Sequence, residues 1–402
     1  MANTLKVNSI RYPNLDKLRG FAALSVLIFY VIAHTHWNSF PVTWPLVWFR
    51  FGWMGVDLFF VISGVVIYNS AYSLRGKFGP TWGREYWKRR LCRIVPLYYF
   101  TALCFIIFVV PNFALLPIRT LLWHVGVHLA FIYNWFPATW GSIDGVNWSI
   151  GVEMQFYALV FLLLPWLSGR PKWLSFLPLL LVAWAWRAIT LRLIHPGPYP
   201  LFIYSAQLPG TIDEFAIGML FARMNIENPD LLKSPSLKKF YPLVFVGVAS
   251  LIGLMLHILI STPHFWHRYT MVVLFRTYIG LSMFGVVFLA VSFPYRLPRF
   301  ISWPFDYLGE ISYGIYLWQL LVILSLKRVT WLTNHVEFLK YSLILTVILA
   351  SGSYFLFEKL WMDRSKDNTR GGLEPPASMI KHRPQVLRLP LGHLRDDFGF
   401  LI

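Results

Sequence analysis

The chain has 402 residues, of which 57% are hydrophobic and only 13% are charged. Soluble domains carry about 25% charged residues, so this chain has too few polar side chains to cover the surface of a soluble protein of its length. The formal net charge of +18 does not indicate nucleic acid as a partner, because the basic residues lie between apolar segments and at the termini, as in cytoplasmic loops of membrane proteins. The composition therefore predicts an all-α, polytopic membrane helix bundle in a lipid bilayer.

Ten apolar segments are long enough, or nearly so, to cross a bilayer as helices. In chain order they cover residues 15–34, 51–70, 94–111, 146–167, 173–194, 201–223, 240–261, 269–293, 304–326 and 340–361. A shorter segment, 121–133, contains two histidines and is expected to lie in or on the outer side of the membrane.

The distribution of Lys and Arg predicts the orientation of these spans. With ten spans and a cytoplasmic N-terminus, most of the 36 basic residues fall on the cytoplasmic side, whereas an eleventh span at 121–133 would invert every later loop. We therefore expect both termini in the cytoplasm. The predicted parts are a cytoplasmic segment over 1–14, a transmembrane domain over 15–361, and a disordered cytoplasmic tail over 362–402.

Several ionisable or polar residues fall inside the predicted spans, where a charged side chain costs about 2.5–3.5 kcal/mol on insertion scales. At about 1.5 Å per residue, the ten-span topology brings side chains from four spans to one depth in the outer half of the membrane. They are Tyr30, His34, Asp57, Glu153 and Gln319. Each alone could be structural, but their coincidence at one depth predicts a functional site.

A second, basic cluster is predicted at the cytoplasmic side. Arg19 lies at the base of the first span, and Arg90 and Arg93 lie where the third span begins, three residues apart and so on one helix face. Planar guanidinium groups on one face suit phosphate, which they bind through paired hydrogen bonds. The alternative is that these arginines only satisfy the charge bias or contact anionic lipid headgroups.

Four other charged residues in the spans, Arg187, Asp213, Glu214 and Arg276, are expected to pair across helices. The two cysteines, Cys92 and Cys104, would lie about 18 Å apart on one helix, too far for a disulfide. No metal-binding Cys/His spacing is present, so no metal site is expected.

Five motifs resemble the acyltransferase 3 family. They are LDKLRGFAA at 15–23, GVDLFFVISG at 55–64, RLCRIVP at 90–96, NWSIGVE at 147–153 with Phe-Tyr at 156–157, and ISYGIYLW at 311–318. The resemblance runs from about residue 13 to 361, with the motifs in the expected order. It implies an enzyme of the bacterial inner membrane that moves an acyl group, commonly acetyl from acetyl-CoA, onto a hydroxyl of a surface or secreted glycan.

The resemblance also implies roles for particular residues. Arg19 matches the first-helix arginine of the family, and Arg90 and Arg93 match its paired arginines, all associated with binding of the acyl-CoA donor. Asp57 and Glu153 match acidic motif positions. No bound cofactor is implied, because acyl-CoA is a substrate.

Two positions depart from the family pattern. The family places a histidine, its general base, at position 30, where this chain has Tyr30, and Gln319 stands where the last motif often continues with histidine. A tyrosine with an ordinary pKa near 10 is a poor base at neutral pH. His34 is one turn beyond Tyr30 on the same helix face, so we expect His34 to act as the base, oriented by Asp57 or Glu153.

The expected function is therefore transfer of an acyl group from acyl-CoA to a hydroxyl of a cell-surface or secreted polysaccharide, with a glycan or lipid-linked saccharide as acceptor. Tyr30 leaves open a catalytically impaired relative that acts as a scaffold or partner in glycan export. A small-solute transporter is the third alternative, against which the sequence shows no inverted repeat. The oligomeric state is not determined by the sequence.

Overall fold

The computed structural model describes residues 12–194, 198–230, 232, 234–262, 265–293 and 298–363. Within these ranges all regular secondary structure is helical, so the predicted all-α class is confirmed. Residues 1–11 of the predicted N-terminal segment and 364–402 of the predicted tail lie outside the described residues.

The α-helices of the described ranges are numbered in chain order. They are α1 (Pro13–His34), α2 (Val47–Arg50), α3 (Gly55–Phe78), α4 (Trp82–Phe108), α5 (Ile118–Leu129), α6 (Trp148–Gly169), α7 (Lys172–Leu193), α8 (Pro198–Ser205), α9 (Leu208–Glu227), α10 (Pro235–Ser261), α11 (Arg276–Ser292), α12 (Arg299–Glu310), α13 (Ser312–Leu326) and α14 (His335–Ser353). Two π-helical segments continue this pattern: Met271–Phe275 leads into α11, and Tyr354–Glu358 follows α14.

Local sequence explains where several helices begin and end. Pro13 occupies the first turn of α1, where its missing N–H leaves no hydrogen bond unmade. Gly79 has φ +53° directly after α3, a left-handed conformation that glycine adopts without steric cost, and it separates α3 from α4.

Six helical stretches among the described residues are long and apolar enough to cross a membrane, and a seventh is added if the bent pair α12–α13 forms one span. α1 and α9 have 22 and 20 residues but are not among these stretches. Multiple apolar helices thus support a multi-pass membrane protein. The number of ten spans and the cytoplasmic location of both termini stay predictions.

Three predicted spans differ from the helices observed. The span predicted over 94–111 belongs to α4, which begins twelve residues earlier and includes the paired arginines within the helix. The span predicted over 201–223 is interrupted between α8 and α9. The span predicted over 304–326 is broken at Ile311, where α12 and α13 meet at an angle of 70°. The short segment 121–133 overlaps a helix, α5, of 12 residues.

The core of the bundle is built where α3 and α9 cross. A Cβ on Gly64 would lie 2.3 Å from the carbonyl oxygen of Phe215, and a Cβ on Gly218 would lie 2.1 Å from that of Val61, so only glycine permits this approach. The ring of Phe60 stacks on Phe215 one turn before the glycines, and the two helices therefore run in the same direction. By contrast, only three of the 27 residues of α10 are buried, as expected of a helix at the lipid-facing periphery.

Candidate active site

A large cavity of about 540 Å³ lies among α1, α3, α6, α8, α10 and α11. Its walls are mainly aromatic, formed by Phe29, Tyr30, Phe51, Trp53, Trp148, Tyr199, Phe202, Phe265 and Trp266. The charged side chains among its described lining residues are Asp57 and Arg276. Its volume falls in the range of small-molecule sites, which are apolar concave surfaces with a few polar groups that orient the ligand.

The ionic groups of this cavity are held by three helices. Asp57 lies in the first turn of α3, where the helix dipole favours a carboxylate. Arg276 pairs with Asp57 at 3.1 Å (Nη2 to Oδ1) and donates from Nε to Glu214 Oε1 of α9 at 2.7 Å. Both carboxyl groups are buried, with Asp57 and Glu214 each 0% exposed. The geometry therefore places one guanidinium between two carboxyl groups.

A second buried ion pair lies beside this group. Arg187 of α7 pairs with Asp213 Oδ1, and it also donates to the carbonyl oxygens of Gly210 and Val273 at 2.6 and 3.0 Å. Thr277 donates to the other oxygen of Asp213 at 2.6 Å. The expectation that the four charged residues of these spans pair across helices is confirmed, and Asp57 is an additional partner that the sequence analysis did not assign.

A small cavity of about 40 Å³ adjoins the large one, and Val56 lines both. Arg19 and Glu153 face this small cavity, together with aromatic residues of α3 and α13. Glu153 accepts hydrogen bonds from Ser63 at 2.8 Å and from Tyr157 at 2.6 Å, and it lies within electrostatic range of Arg19. The carboxyl groups of Asp57 and Glu153 therefore belong to two different cavities that meet at one valine.

The basic cluster predicted from the sequence is present beneath the small cavity. Arg90 is 8% exposed, donates from Nη2 to Ser70 at 2.7 Å, and stacks its guanidinium against the rings of Tyr86 and Tyr157. Arg93 lies close enough to interact with both Arg90 and Arg19. Three guanidinium groups thus form one cluster, and one of them, that of Arg19, lines the small cavity.

Glu358 is an acidic member of this cluster that the sequence analysis missed. It lies in the π-helical segment after α14, is 3% exposed, and faces Arg93 and Arg19. The sequence did contain a signal for Glu358: it is an acid at the end of the last predicted span, where basic residues are more common.

His34 and Gln319 are not brought to the cavities. His34 stacks on the ring of Tyr30, with 5.9 Å between centroids, but neither cavity includes it among its described lining residues. Gln319 is fully buried, and within the described part of the chain its side-chain amide has no hydrogen-bond partner. Of the five residues predicted to share one depth, Tyr30 and Asp57 line the large cavity and Glu153 lines the small one.

The predicted orientation of His34 by a carboxylate is also not supported. Asp57 is held by Arg276, and Glu153 is held by Ser63 and Tyr157. No hydrogen bond within the described ranges joins His34 to either carboxyl group. Depth along a helix was predicted from residue spacing, but the direction in which each side chain points depends on how the helices rotate against their neighbours.

The helix α5 and the segment between it and α6 carry further buried polar groups. His128 is bonded to Tyr98 at 3.1 Å and to Ser142 at 3.2 Å, and its ring stacks on Tyr133. Asp144 is 1% exposed and accepts from the backbone N–H of Val146 at 3.0 Å. Burial raises the pKa of Asp144 to about 7, and the Val146 hydrogen bond opposes that rise.

No group of three or more His, Cys, Asp or Glu side chains in the described ranges is arranged to hold a metal ion. Cys92 and Cys104 are both free thiols, in agreement with the spacing argument.

Comparisons with known proteins identify relatives of this chain. It is 28% identical over 377 residues to YrhL of Bacillus subtilis (strain 168), named as a candidate peptidoglycan O-acetyltransferase, and 26% identical over 379 residues to the O-acetyltransferase OatA of Staphylococcus aureus. These alignments cover 88% of this chain but 55% and 58% of the relatives, so the chain spans slightly more than half of their length. No solved structure matches the chain.

A viral protein matches over more of its own length. ORF330 of the Acidianus two-tailed virus, named as a candidate acetyltransferase, is 26% identical over 315 residues, which is 77% of this chain and 83% of the relative. The family model described as "Acyltransferase domain" matches residues 12–357. Because that match covers most of the sequence and includes all five motifs, the chain belongs to the acyltransferase 3 family.

Proposed function

We propose that this chain is an O-acyltransferase of the bacterial inner membrane that transfers an acyl group from acyl-CoA, in particular acetyl-CoA, to a hydroxyl of a cell-surface or secreted polysaccharide. The observation that carries the proposal is the meeting of two unlike cavities at Val56. One is small and is lined by Arg19, which belongs to the cluster of three arginines, and the other is large and aromatic. The names of the O-acetyltransferase relatives support the same reaction class.

In this proposal the basic cluster binds the donor. Arg19, Arg90 and Arg93 hold the CoA phosphates through charge-assisted hydrogen bonds. Arg90 is rigidly placed by Ser70 and by two tyrosine rings, so little side-chain entropy is lost when phosphate binds. The thioester arm then extends past Glu153 toward Val56.

The large cavity accepts the saccharide in this proposal. Its aromatic walls offer flat apolar surfaces for the C–H faces of sugar rings, while hydroxyl groups need polar partners, which Asp57 and Arg276 provide. A free glycan or a lipid-linked saccharide has this mixed character.

The acceptor hydroxyl needs a base beside the thioester. Asp57 is the base that we propose, because it lines the large cavity next to Val56, whereas His34 lies behind Tyr30. The acceptor oxygen loses its proton to Asp57 and bonds to the thioester carbonyl carbon. The carbon–sulfur bond breaks, and the leaving thiolate of CoA takes the proton. The apolar surroundings exclude competing water.

The test is release of free CoA from acetyl-CoA by the purified chain with a panel of glycan acceptors. We expect acceptor-dependent release that Asp57→Asn reduces at least 100-fold and that His34→Ala leaves within threefold. Loss of release in His34→Ala with full release in Asp57→Asn would return the role of base to His34.

Tyr30 supports one competing function, a catalytically impaired relative that serves as a scaffold. The variant Tyr30→His separates the two functions. Release by both the natural chain and Tyr30→His supports the proposal, and release by Tyr30→His alone supports the impaired relative. If neither chain released CoA and calorimetry showed no binding of acetyl-CoA, the acyltransferase proposal would be contradicted.

A further inference from the structure

The ionic groups between α3, α9 and α11 do not balance in charge. Arg187 and Asp213 form a pair whose members are each bonded to further polar groups. Arg276 is then the one described cation for both Asp57 and Glu214. With both carboxyl groups ionised, this buried group would carry one uncompensated negative charge, which a low-dielectric environment strongly disfavours.

Three carboxyl oxygens of this group lack a hydrogen-bond donor in the described part of the chain, and a proton on one of them would supply the missing positive charge. Asp57 Oδ1 and Oδ2 and Glu214 Oε2 are buried and accept no hydrogen bond from the described residues. One guanidinium, that of Arg276, contacts both Asp57 at 3.1 Å and Glu214 at 2.7 Å, so the two carboxyl groups lie side by side and interact directly. Two ionised carboxylates only accept, so a bond between them requires a proton on one.

The fold enforces this contact. The Gly64–Gly218 approach brings α3 and α9 together, with Asp57 and Glu214 in the turns before the crossing. Gly280 of α11 faces Glu214, and a Cβ there would lie 3.1 Å from Glu214 Cγ. The two acids therefore cannot separate without moving a helix.

We infer that Asp57 and Glu214 share one proton beside Arg276 and act as a single proton-accepting pair that faces the large cavity, in place of the histidine that this chain lacks at position 30. Glu214 is the positioning residue of this pair, because Asp57 and Arg276 line the cavity and Glu214 does not. The inference rests on the proposed acyl transfer for its catalytic meaning, but the shared proton can be tested without turnover.

The step balances as follows. Before reaction the pair holds one proton, on Glu214, and Asp57 presents an ionised oxygen to the cavity. The acceptor O–H bond breaks and its proton moves to Asp57, while the acceptor oxygen bonds to the thioester carbon. The carbon–sulfur bond breaks with its electron pair on sulfur, and the thiolate takes the proton from Asp57. The pair returns to its one-proton state.

The charged and titratable groups that face this pair come from four further directions. They are Arg276 of α11, Arg187 of α7, Asp213 of α9, and Tyr30 of α1 across the cavity.

Glu214→Gln removes one acid and leaves Asp57 paired one to one with Arg276. The amide is neutral, as Glu214 is when it holds the shared proton, so we expect the acid limb of the pH–rate profile for CoA release to stay within about half a pH unit, whereas the alkaline limb, at which the natural chain loses the shared proton, should be absent.

The experiment combines that pH profile with infrared spectra of the purified full chain at pH 8. The natural chain should show the carbonyl band of a protonated carboxylic acid, and this band should disappear in Glu214→Gln and in Asp57→Asn. The matched control is Glu227→Gln, the same substitution on α9 at a residue paired with Lys172 and Arg223, which should retain the band and the pH profile.

Three outcomes decide the inference. Loss of the band in both variants, with the alkaline limb absent in Glu214→Gln, supports it. A band that persists in both variants, or an alkaline limb that Glu214→Gln retains, overturns it. Calorimetry with acetyl-CoA keeps the two proposals apart: a variant-sensitive band in a chain that neither binds nor cleaves acetyl-CoA would support the shared proton and contradict the acyl transfer.

Discussion

The crossing of α3 and α9 gives a direct test of how the candidate site is held together. In Gly218→Ala the new Cβ would lie 2.1 Å from the carbonyl oxygen of Val61, whereas ordinary contacts begin at 3.4 Å. Neither atom can turn away, because one is backbone and the other is fixed to the helix. The helices must therefore separate by more than about 1 Å, and such overpacking costs about 1–3 kcal/mol.

Alanine also stabilises a helix interior relative to glycine by about 0.5–1 kcal/mol, which offsets part of that cost. We expect a net loss of about 1–2 kcal/mol in the free energy of unfolding. The same separation would move Asp57 away from Glu214, so CoA release should fall more than stability alone explains.

The assay is reversible denaturant unfolding in detergent micelles, with CoA release measured under folded conditions. The control is Gly253→Ala on α10, where a Cβ meets no atom within 4 Å, and this variant should be unchanged or more stable. If Gly218→Ala unfolded at the same denaturant concentration as Gly253→Ala, the close crossing would not hold the site.

Three further predictions concern single side chains. Arg90→Lys removes a planar fork that is positioned by its neighbours, so the dissociation constant for CoA in calorimetry should rise about tenfold or more. Burial raises the pKa of Asp144 to about 7, so the folded chain keeps a proton that the unfolded chain releases above about pH 4. The free energy of unfolding should therefore fall between pH 5 and pH 7, with Asp144 contributing about 1.4 kcal/mol per pH unit. In Asp144→Asn this contribution to the fall should be absent. Arg187→Met leaves Asp213 buried without its cation and should cost about 3–5 kcal/mol in unfolding, a loss that Arg187→Met with Asp213→Leu should largely recover.

The sequence predicted the helices well wherever an apolar run alone determines the structure. It failed at Ile311, because Asp306 and Glu310 interrupt the apolar run there only briefly, which does not by itself predict a bend. The bend depends on Gly309, whose close contact with the backbone of Asp16 on α1 is a tertiary contact that no local pattern encodes. The early start of α4 was missed for a related reason, since its first turns are charged but still helical.

The sequence identified several residues of the candidate site but not which of them contact one another. Spacing brought Arg90 and Arg93 to one face, and the structure groups them with Arg19. Spacing did not link Asp57 to Arg276, because Arg276 follows the π-helical segment Met271–Phe275, and its wider turn changes which face of α11 the next residues occupy. Such segments often occur at functional sites, but they are not marked by sequence periodicity.

The position of Val56 between the two cavities has a consequence for the ion permeability of the membrane. A protein that admits one substrate from each side of a bilayer could also conduct ions between the two compartments. Here the cavities meet at apolar side chains, with Phe59 and Phe60 beside Val56 on the side of the small cavity. A narrow apolar constriction excludes water and blocks ion passage. In the proposed mechanism the acyl group passes Val56, and the same side chain would also prevent ion leakage through the bundle. A polar residue at that position would admit water and ions along the same path.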